Sequence, residues 1–329
     1  MHSRFTRALV GVVGAAVMAA WSAPLVAQDA DPAPKRAEGE GPFDKLIIRG
    51  ATLIDGQGGP PRGPVDIVIE KNRITQVAEV GYPGLPINEA RRPKGPAREI
   101  DAKGMYVMPG LIDLHVHTCG KPKAPDAEYC YKLWLSHGIT TVRGVPLGGF
   151  EWSASEAKRS STNEITAPRL VNYQRPGSGK GWTGGQITTS EKAREWVRWA
   201  KTQGIDGLKV GAHEPEIMAA LMDEAKKLGL GSTAHLQQTG VPNMNAMQAV
   251  RLGLGAVTHY YGIFESMYEG TSIQPYPADY NYSDEQWRFG QVARQWSLVK
   301  PKSAKWYAFL DTLKKYDATL DPTMTTYMS

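Results

Sequence analysis

Only two cysteines occur in 329 residues, which excludes a disulfide-built scaffold and a thiolate-rich metal centre. Charge of one sign is not in excess either: 38 Lys and Arg stand against 33 Asp and Glu, for a formal charge of +5. Apart from small clusters at Arg91-Arg92 and at Lys121 and Lys123, the cations are scattered, and the lack of a basic stripe excludes a nucleic-acid footprint. No apolar run approaches the roughly 20 residues of a membrane-spanning helix. No internal repeat is evident, so solenoids and propellers are excluded. The glycine-rich run 177–186 is not a phosphate-binding loop, because Gln174 stands where the first glycine would be and Lys180 is followed by Gly181 rather than Ser or Thr. It is expected to form a flexible rim.

What is there begins with an export pattern. Arg4 and Arg7 precede an apolar run over 8–20, followed by small residues up to Ala27, which reads as a signal peptide over 1–27 with cleavage after Ala27. The mature chain is then expected to be exported, periplasmic or secreted, with no stable membrane anchor and a formal charge of 5 − 2 = +3. Residues 28–42 are polar and rich in Pro, Gly and charge, as in a disordered leader.

From 43 to 107 short β-like runs alternate with turns: 45–48, 51–54, 65–70, 73–77 and 98–100. They predict a small antiparallel, β-sandwich-like module. From 108 to 329 the rhythm becomes strand then helix. Strands are expected at 111–117, 140–145, 170–173, 207–210, 231–235, 256–259 and 319–325, and helices at 190–202, with Ser190 as cap, 214–228, 242–252 and 303–316. Such alternation predicts a parallel α/β fold. Seven strands are one short of a closed (β/α)8 barrel, so the reading is a TIM barrel incomplete at its C-terminal side.

The chemistry gathers on one run, Met108-Pro109-Gly110-Leu111-Ile112-Asp113-Leu114-His115-Val116-His117. Side chains two apart on a strand share a face, so His115 and His117 can reach one metal ion. So apolar a strand is expected to be buried on both faces. Of the seven histidines, His115, His117, His235 and His259 fall at strand C-termini, where barrel strands converge on one mouth. Lys209 ends a strand of its own. Beside two cations its amine would be driven neutral and could take up carbon dioxide as a carbamate, a bidentate anionic ligand. His137 is expected at a helix end. His213 lies near the mouth, within reach of a substrate. Cys119 is either a further ligand or the partner of Cys130.

Residues 107–117, with 138–143, Lys209, and the runs ending at His235 and His259, resemble the amidohydrolase superfamily, in its imidazolonepropionase- and prolidase-like branch. The resemblance implies an amidohydrolase-type barrel holding two divalent cations, zinc being expected. His115 and His117 would bind the first, His235 and His259 the second, and a carboxylated Lys209 would bridge them. It implies hydrolysis of a C–N bond, amide or peptide, by a metal-bound hydroxide, on a small amide or dipeptide-like substrate. The family's catalytic aspartate on an eighth strand has no counterpart here, and Asp321, on the seventh, is not expected to replace it. The alternative is a catalytically incompetent fragment or remnant that keeps the metal ligands. A third reading is that another subunit, such as a second copy in a homo-oligomer, supplies the missing strand and carboxylate.

Overall fold

The computed structural model describes residues 29–120, 124–237, 240–270, 279–281 and 283–323; the expected signal peptide and the end of the expected last strand lie outside them. Five strands form the first sheet: β1 (Lys45–Leu53), β2 (Arg62–Glu70), β3 (Arg73–Glu79), β4 (Arg98–Asp101) and β5 (Tyr106–Val107), in the order β3-β2-β1-β4 with β5 also on β1. The sheet is mixed rather than antiparallel: β1 pairs antiparallel with β2 but parallel with β4 and β5. The two short runs expected at 45–54 are one strand bent at Gly50, whose φ of +74° accompanies a register shift between Ile48 and Ala51. Its first half then pairs with β4 and its second with β5. Asp66, fully buried on β2, ties the bend down by accepting from the Gly50 amide, Arg49 and Arg92.

The second sheet has seven parallel strands in chain order: β6 (Leu111–Val116), β7 (Ile139–Gly144), β8 (Arg169–Gln174), β9 (Gly207–Val210), β10 (Gly231–Ala234), β11 (Ala256–Thr258) and β12 (Thr319–Asp321). Between them run α1 (Glu128–Ser136), α2 (Phe150–Ser161), α3 (Ser190–Thr202), α4 (Pro215–Lys227), α5 (Ala246–Arg251), α6 (Glu285–Ser297) and α7 (Ala304–Lys315). This is a nearly closed barrel, open between β12 and β6, which do not pair among the described residues. All seven expected strands are present. Helix α3 is capped by Thr189 rather than Ser190, through its side chain on the Lys192 amide. Helix α5 starts later than expected because Asn245 and Gln248 close a capping box there.

Three further expectations are corrected. Strand β6 is not buried on both faces: Leu111, Ile112 and Leu114 are 51%, 63% and 44% exposed, because an edge strand has a neighbour on one side only. Residues 29–36 of the expected disordered leader are packed against the barrel. Ala30 and Ala33 are buried beside Val116, Tyr131, Val142 and Leu147, small apolar contacts without any period to betray them. The glycine-rich rim is held rather than flexible: Trp196 Nε1 donates to the Ser178 carbonyl at 3.0 Å, and Gly179 lies so close over Trp199 that a Cβ would come within 2.3 Å of the ring.

The main core lies under α3, α4 and β9–β11, with Trp196, Met218, Leu221 and Leu208 fully buried. Among the described residues no helix is long and apolar enough to cross a membrane.

Candidate functional site

Parallel strands present their C-terminal ends to one side, and the four histidines sit there: His115 on β6, His117 one residue past it, His235 directly after β10 and His259 directly after β11. Their rings touch in series. Centroids are 5.4 Å apart for His117 and His115, 4.8 Å for His115 and His259, and 4.8 Å for His259 and His235. His259 has φ +61°, a left-handed conformation that costs a non-glycine residue about 1 kcal/mol or more and often marks a functional site. Its amide donates to the Asp321 carbonyl at 2.8 Å, which holds the turn.

Three of the rings are oriented through Nδ1. His117 Nδ1 lies 2.7 Å from the Pro146 carbonyl oxygen, which can only accept, so a neutral His117 carries its proton on Nδ1. His259 Nδ1 lies 2.7 Å from Thr323 Oγ1, whose own proton goes to the Pro322 carbonyl, so that ring donates as well. His115 Nδ1 faces Asp321 Oδ2 at 3.3 Å. In each ring Nε2 is left as the lone-pair donor.

Burial keeps the rings neutral. It pushes His117 down to about 4, His235 to about 3 and His259 to about 2, with neighbouring cations and imidazoles adding to the effect for His235 and His259. His115 is lowered by burial too, against the pull of its hydrogen bond to Asp321. Neutral imidazole is the form that binds metal.

Lys209 is 3% exposed on β9, and its Nζ is buried without a hydrogen-bond partner. Burial pushes its amine down to about 7, Asp321 opposing and Arg175 and Arg143 assisting. It is no surface lysine. A buried amine without a partner is costly unless something else occupies its reach, and carboxylation would replace the amine by an anionic carbamate whose charge two cations would offset. The donor set, four neutral imidazoles and one lysine pushed toward its neutral form, therefore fits divalent cations of the zinc type. Among the described residues the His, Cys, Asp and Glu groups do not already converge as a three-donor cage; the rings line the mouth as a chain.

Cys119 is bonded to Cys130, with Cα atoms 6.2 Å apart, and is no ligand. His137 caps the end of α1 with Nδ1 2.8 Å from the Leu133 carbonyl, as expected of a helix-terminal histidine. His213 is lowered by burial and lines a cavity of about 440 Å³ with Lys209, His235, Gln237 and Arg175.

Sequence reasoning missed three charged residues. Asp321, set aside for its place on the seventh strand, reaches across the barrel opening to His115 and also accepts from Arg143 Nη2 at 2.9 Å. Arg143, on β7, is itself held by the Leu114 carbonyl at 2.7 Å. Arg175 immediately follows β8 and, among the described residues, has no carboxylate partner. Their shared signal is position at a strand C-terminus.

No family model matches the chain. An N-acyl-D-aspartate deacylase of Alcaligenes xylosoxydans xylosoxydans is 38% identical over 113 residues, 34% of this chain and 18% of that protein. A dihydroorotase of Anaeromyxobacter dehalogenans (strain 2CP-C) is 27% identical over 227 residues, 65% of this chain and 48% of that one. The chain thus spans about half the length of the dihydroorotase and 18% of the deacylase. In fold it is similar to a Xaa-Pro dipeptidase, with a TM-score of 0.55 at 18% identity over 85% of this chain and 67% of that structure. On these relatives and this barrel, the chain belongs to the amidohydrolase superfamily.

Proposed function

We propose that this protein is a metal-dependent hydrolase of a C–N bond, amide or peptide, in a small molecule. The observation that carries the reading is the run of four neutral imidazoles beside a buried, partnerless Lys209 at one barrel mouth. His115 and His117 would hold one cation, His235 and His259 a second, and Lys209, as a carbamate, would lie between them. When bound, divalent cations, zinc foremost, lower the pKa of water toward neutrality and polarise an amide carbonyl.

The protein's own groups supply the rest. Asp321 keeps the His115 ring oriented through Nδ1 and is the carboxylate near the cluster that can take up a proton; Arg143 holds it in place. Arg175 and His213 line the adjoining cavity. A guanidinium there with no carboxylate partner among the described residues favours a substrate bearing a carboxylate, such as an N-acyl amino acid or a dipeptide.

Export is part of the proposal: it rests on the N-terminal pattern, and a Cys119–Cys130 bond persists in oxidising compartments. The exposed apolar β6 edge supports coverage by further polypeptide, such as a second copy of the chain.

A second reading, a chain that holds cations without turnover, is favoured by the β12 and β6 edges, which do not pair among the described residues. The deciding test is amine release by the zinc- and bicarbonate-supplied chain from a panel of neutral, cationic and carboxylate-bearing amides. Turnover concentrated on the carboxylate-bearing members is expected; cation binding with no turnover on any member would favour the second reading.

A further inference from the structure

His117 is not held by its own strand alone. The loop between β7 and α2 accepts its Nδ1–H at the Pro146 carbonyl, accepts the Thr118 amide at the Leu147 carbonyl at 2.9 Å, and returns the Val145 amide to the Val116 carbonyl at 3.2 Å. Whatever fixes residues 145–149 therefore fixes the ring.

The far end of that loop is fixed by the N-terminal segment. Both carboxylate oxygens of Asp29 accept from the Gly149 amide, at 3.1 and 3.0 Å. Gly149 is the N-cap residue of α2 and has no side chain to cap with; the acid 120 residues away accepts the N-cap residue's own amide instead, which places its charge at the positive end of the helix dipole. The two glycines are what admit it: a Cβ on Gly148 would come within 2.5 Å of Asp29 Oδ1, and one on Gly149 within 2.8 Å of Oδ2.

The segment is anchored further along as well. The Asp31 carbonyl accepts the Ala127 amide at 2.9 Å beside α1, and the Ala33 amide donates to the buried carboxylate of Glu156 on α2 at 3.2 Å, while Arg159 returns a bond to the Ala33 carbonyl at 2.6 Å. Ala30 and Ala33 share a core cluster with Val116 and Leu147, the residues flanking the bonds to His117. The strap thus touches the ligand strand by packing and the orienting loop by hydrogen bonds.

We propose that Asp29 is a positioning residue for His117: by holding Gly149, the strap over residues 29–36 sets the loop whose Pro146 carbonyl aims the imidazole. The consequence for metal binding rests on the reading of His117 as a ligand. Loss of an outer partner of a ligating histidine typically weakens cation affinity by 10- to 100-fold. Asp29 acts one link further out, so about 10-fold is expected.

The test uses the full chain as Asp29→Ala, Asp29→Asn, Gly149→Ala and His117→Ala, with two readouts: hydrogen exchange of the metal-free protein over residues 114–120 and 145–150, and titration with Co²⁺ alone followed by its visible absorption. Asp29→Ala and Gly149→Ala should each accelerate exchange at the Thr118 and Val145 amides and weaken Co²⁺ binding, while Asp29→Asn, keeping one acceptor oxygen, should restore most of both. Gly149→Ala displaces the carboxylate while leaving the strap's sequence unchanged, so it carries the test if Asp29→Ala fails to fold. Faster exchange confined to the strap and to residues 148–150, with Thr118 and Co²⁺ affinity unchanged, would overturn the proposal. His117→Ala separates the two claims: unchanged Co²⁺ affinity in that variant refutes the metal reading, and exchange at Thr118 then decides the strap by itself.

Discussion

Asp321 Oδ2 lies 3.3 Å from Nδ1 of His115, although 206 residues separate the two in sequence. The contact spans the opening between β12 and β6 and brings a carboxylate to a mouth where imidazoles and cations gather. Arg143 donates to the same oxygen at 2.9 Å, so the carboxylate is held from two sides. Asp321→Asn should weaken cation affinity by about 10-fold or more, since it removes the anionic partner that orients a ligating ring. Competition against a chelating dye measures it, with Arg143→Lys as an intermediate case.

The metal-free protein should be acid-sensitive. His117, His235 and His259 have folded-state values pushed by burial to about 4, 3 and 2, below the ordinary 6.5 of an exposed ring. Between those values and 6.5 the unfolded chain binds more protons than the folded one, so stability rises with pH through that window and falls as pH drops below about 6.5. Urea midpoints of the metal-free chain should therefore be lower at pH 5 than at pH 7.5. In His259→Gln that difference should shrink, because one buried ring that must charge on unfolding is gone.

Arg175 carries the substrate side of the proposal. Arg175→Met should raise KM for carboxylate-bearing amides by about 10- to 100-fold, the value of a charge-assisted hydrogen bond, and should leave kcat much less affected. Steady-state kinetics on one neutral and one carboxylate-bearing amide checks this; equal losses on both would assign Arg175 a structural role.

The rim glycines offer a stability contrast. Gly179 has φ +107° and lies against Trp199, whereas Gly185 has φ +71° and open space around it. Gly179→Ala should cost about 2–4 kcal/mol, strain and overpacking together, against about 1 kcal/mol for Gly185→Ala, where only the backbone conformation is penalised. Denaturant unfolding of the two variants makes the comparison.

The legible and illegible parts differ for physical reasons. Strands β6 to β12 announce themselves as apolar runs between helical stretches, and the histidines at their ends follow from the geometry of parallel sheets. Helices α2 and α6 are not legible in the sequence, and α1 only through His137 at its end: α2 carries Ser153, Ser155, Ser160 and Ser161 around a thin stripe of Phe150 and Ala157, so its apolar period is faint. The packing of residues 29–36 depends on two alanines and on bonds between backbone groups and side chains about 120 positions apart, which leave no local pattern. Asp321 belongs to the site through a contact across the barrel opening, and no local spacing encodes a partner 206 positions away.

Metal content of the purified chain tests the central claim most directly. After zinc loading and exhaustive dialysis, mass spectrometry should find about two zinc ions per chain, the number that four imidazoles and a bridging carbamate accommodate. The His115→Ala/His117→Ala and His235→Ala/His259→Ala pairs should each lose at least one of them while keeping the far-ultraviolet circular dichroism of the parent. Zinc content unchanged by both double substitutions, or no zinc retained by the parent, would contradict the account.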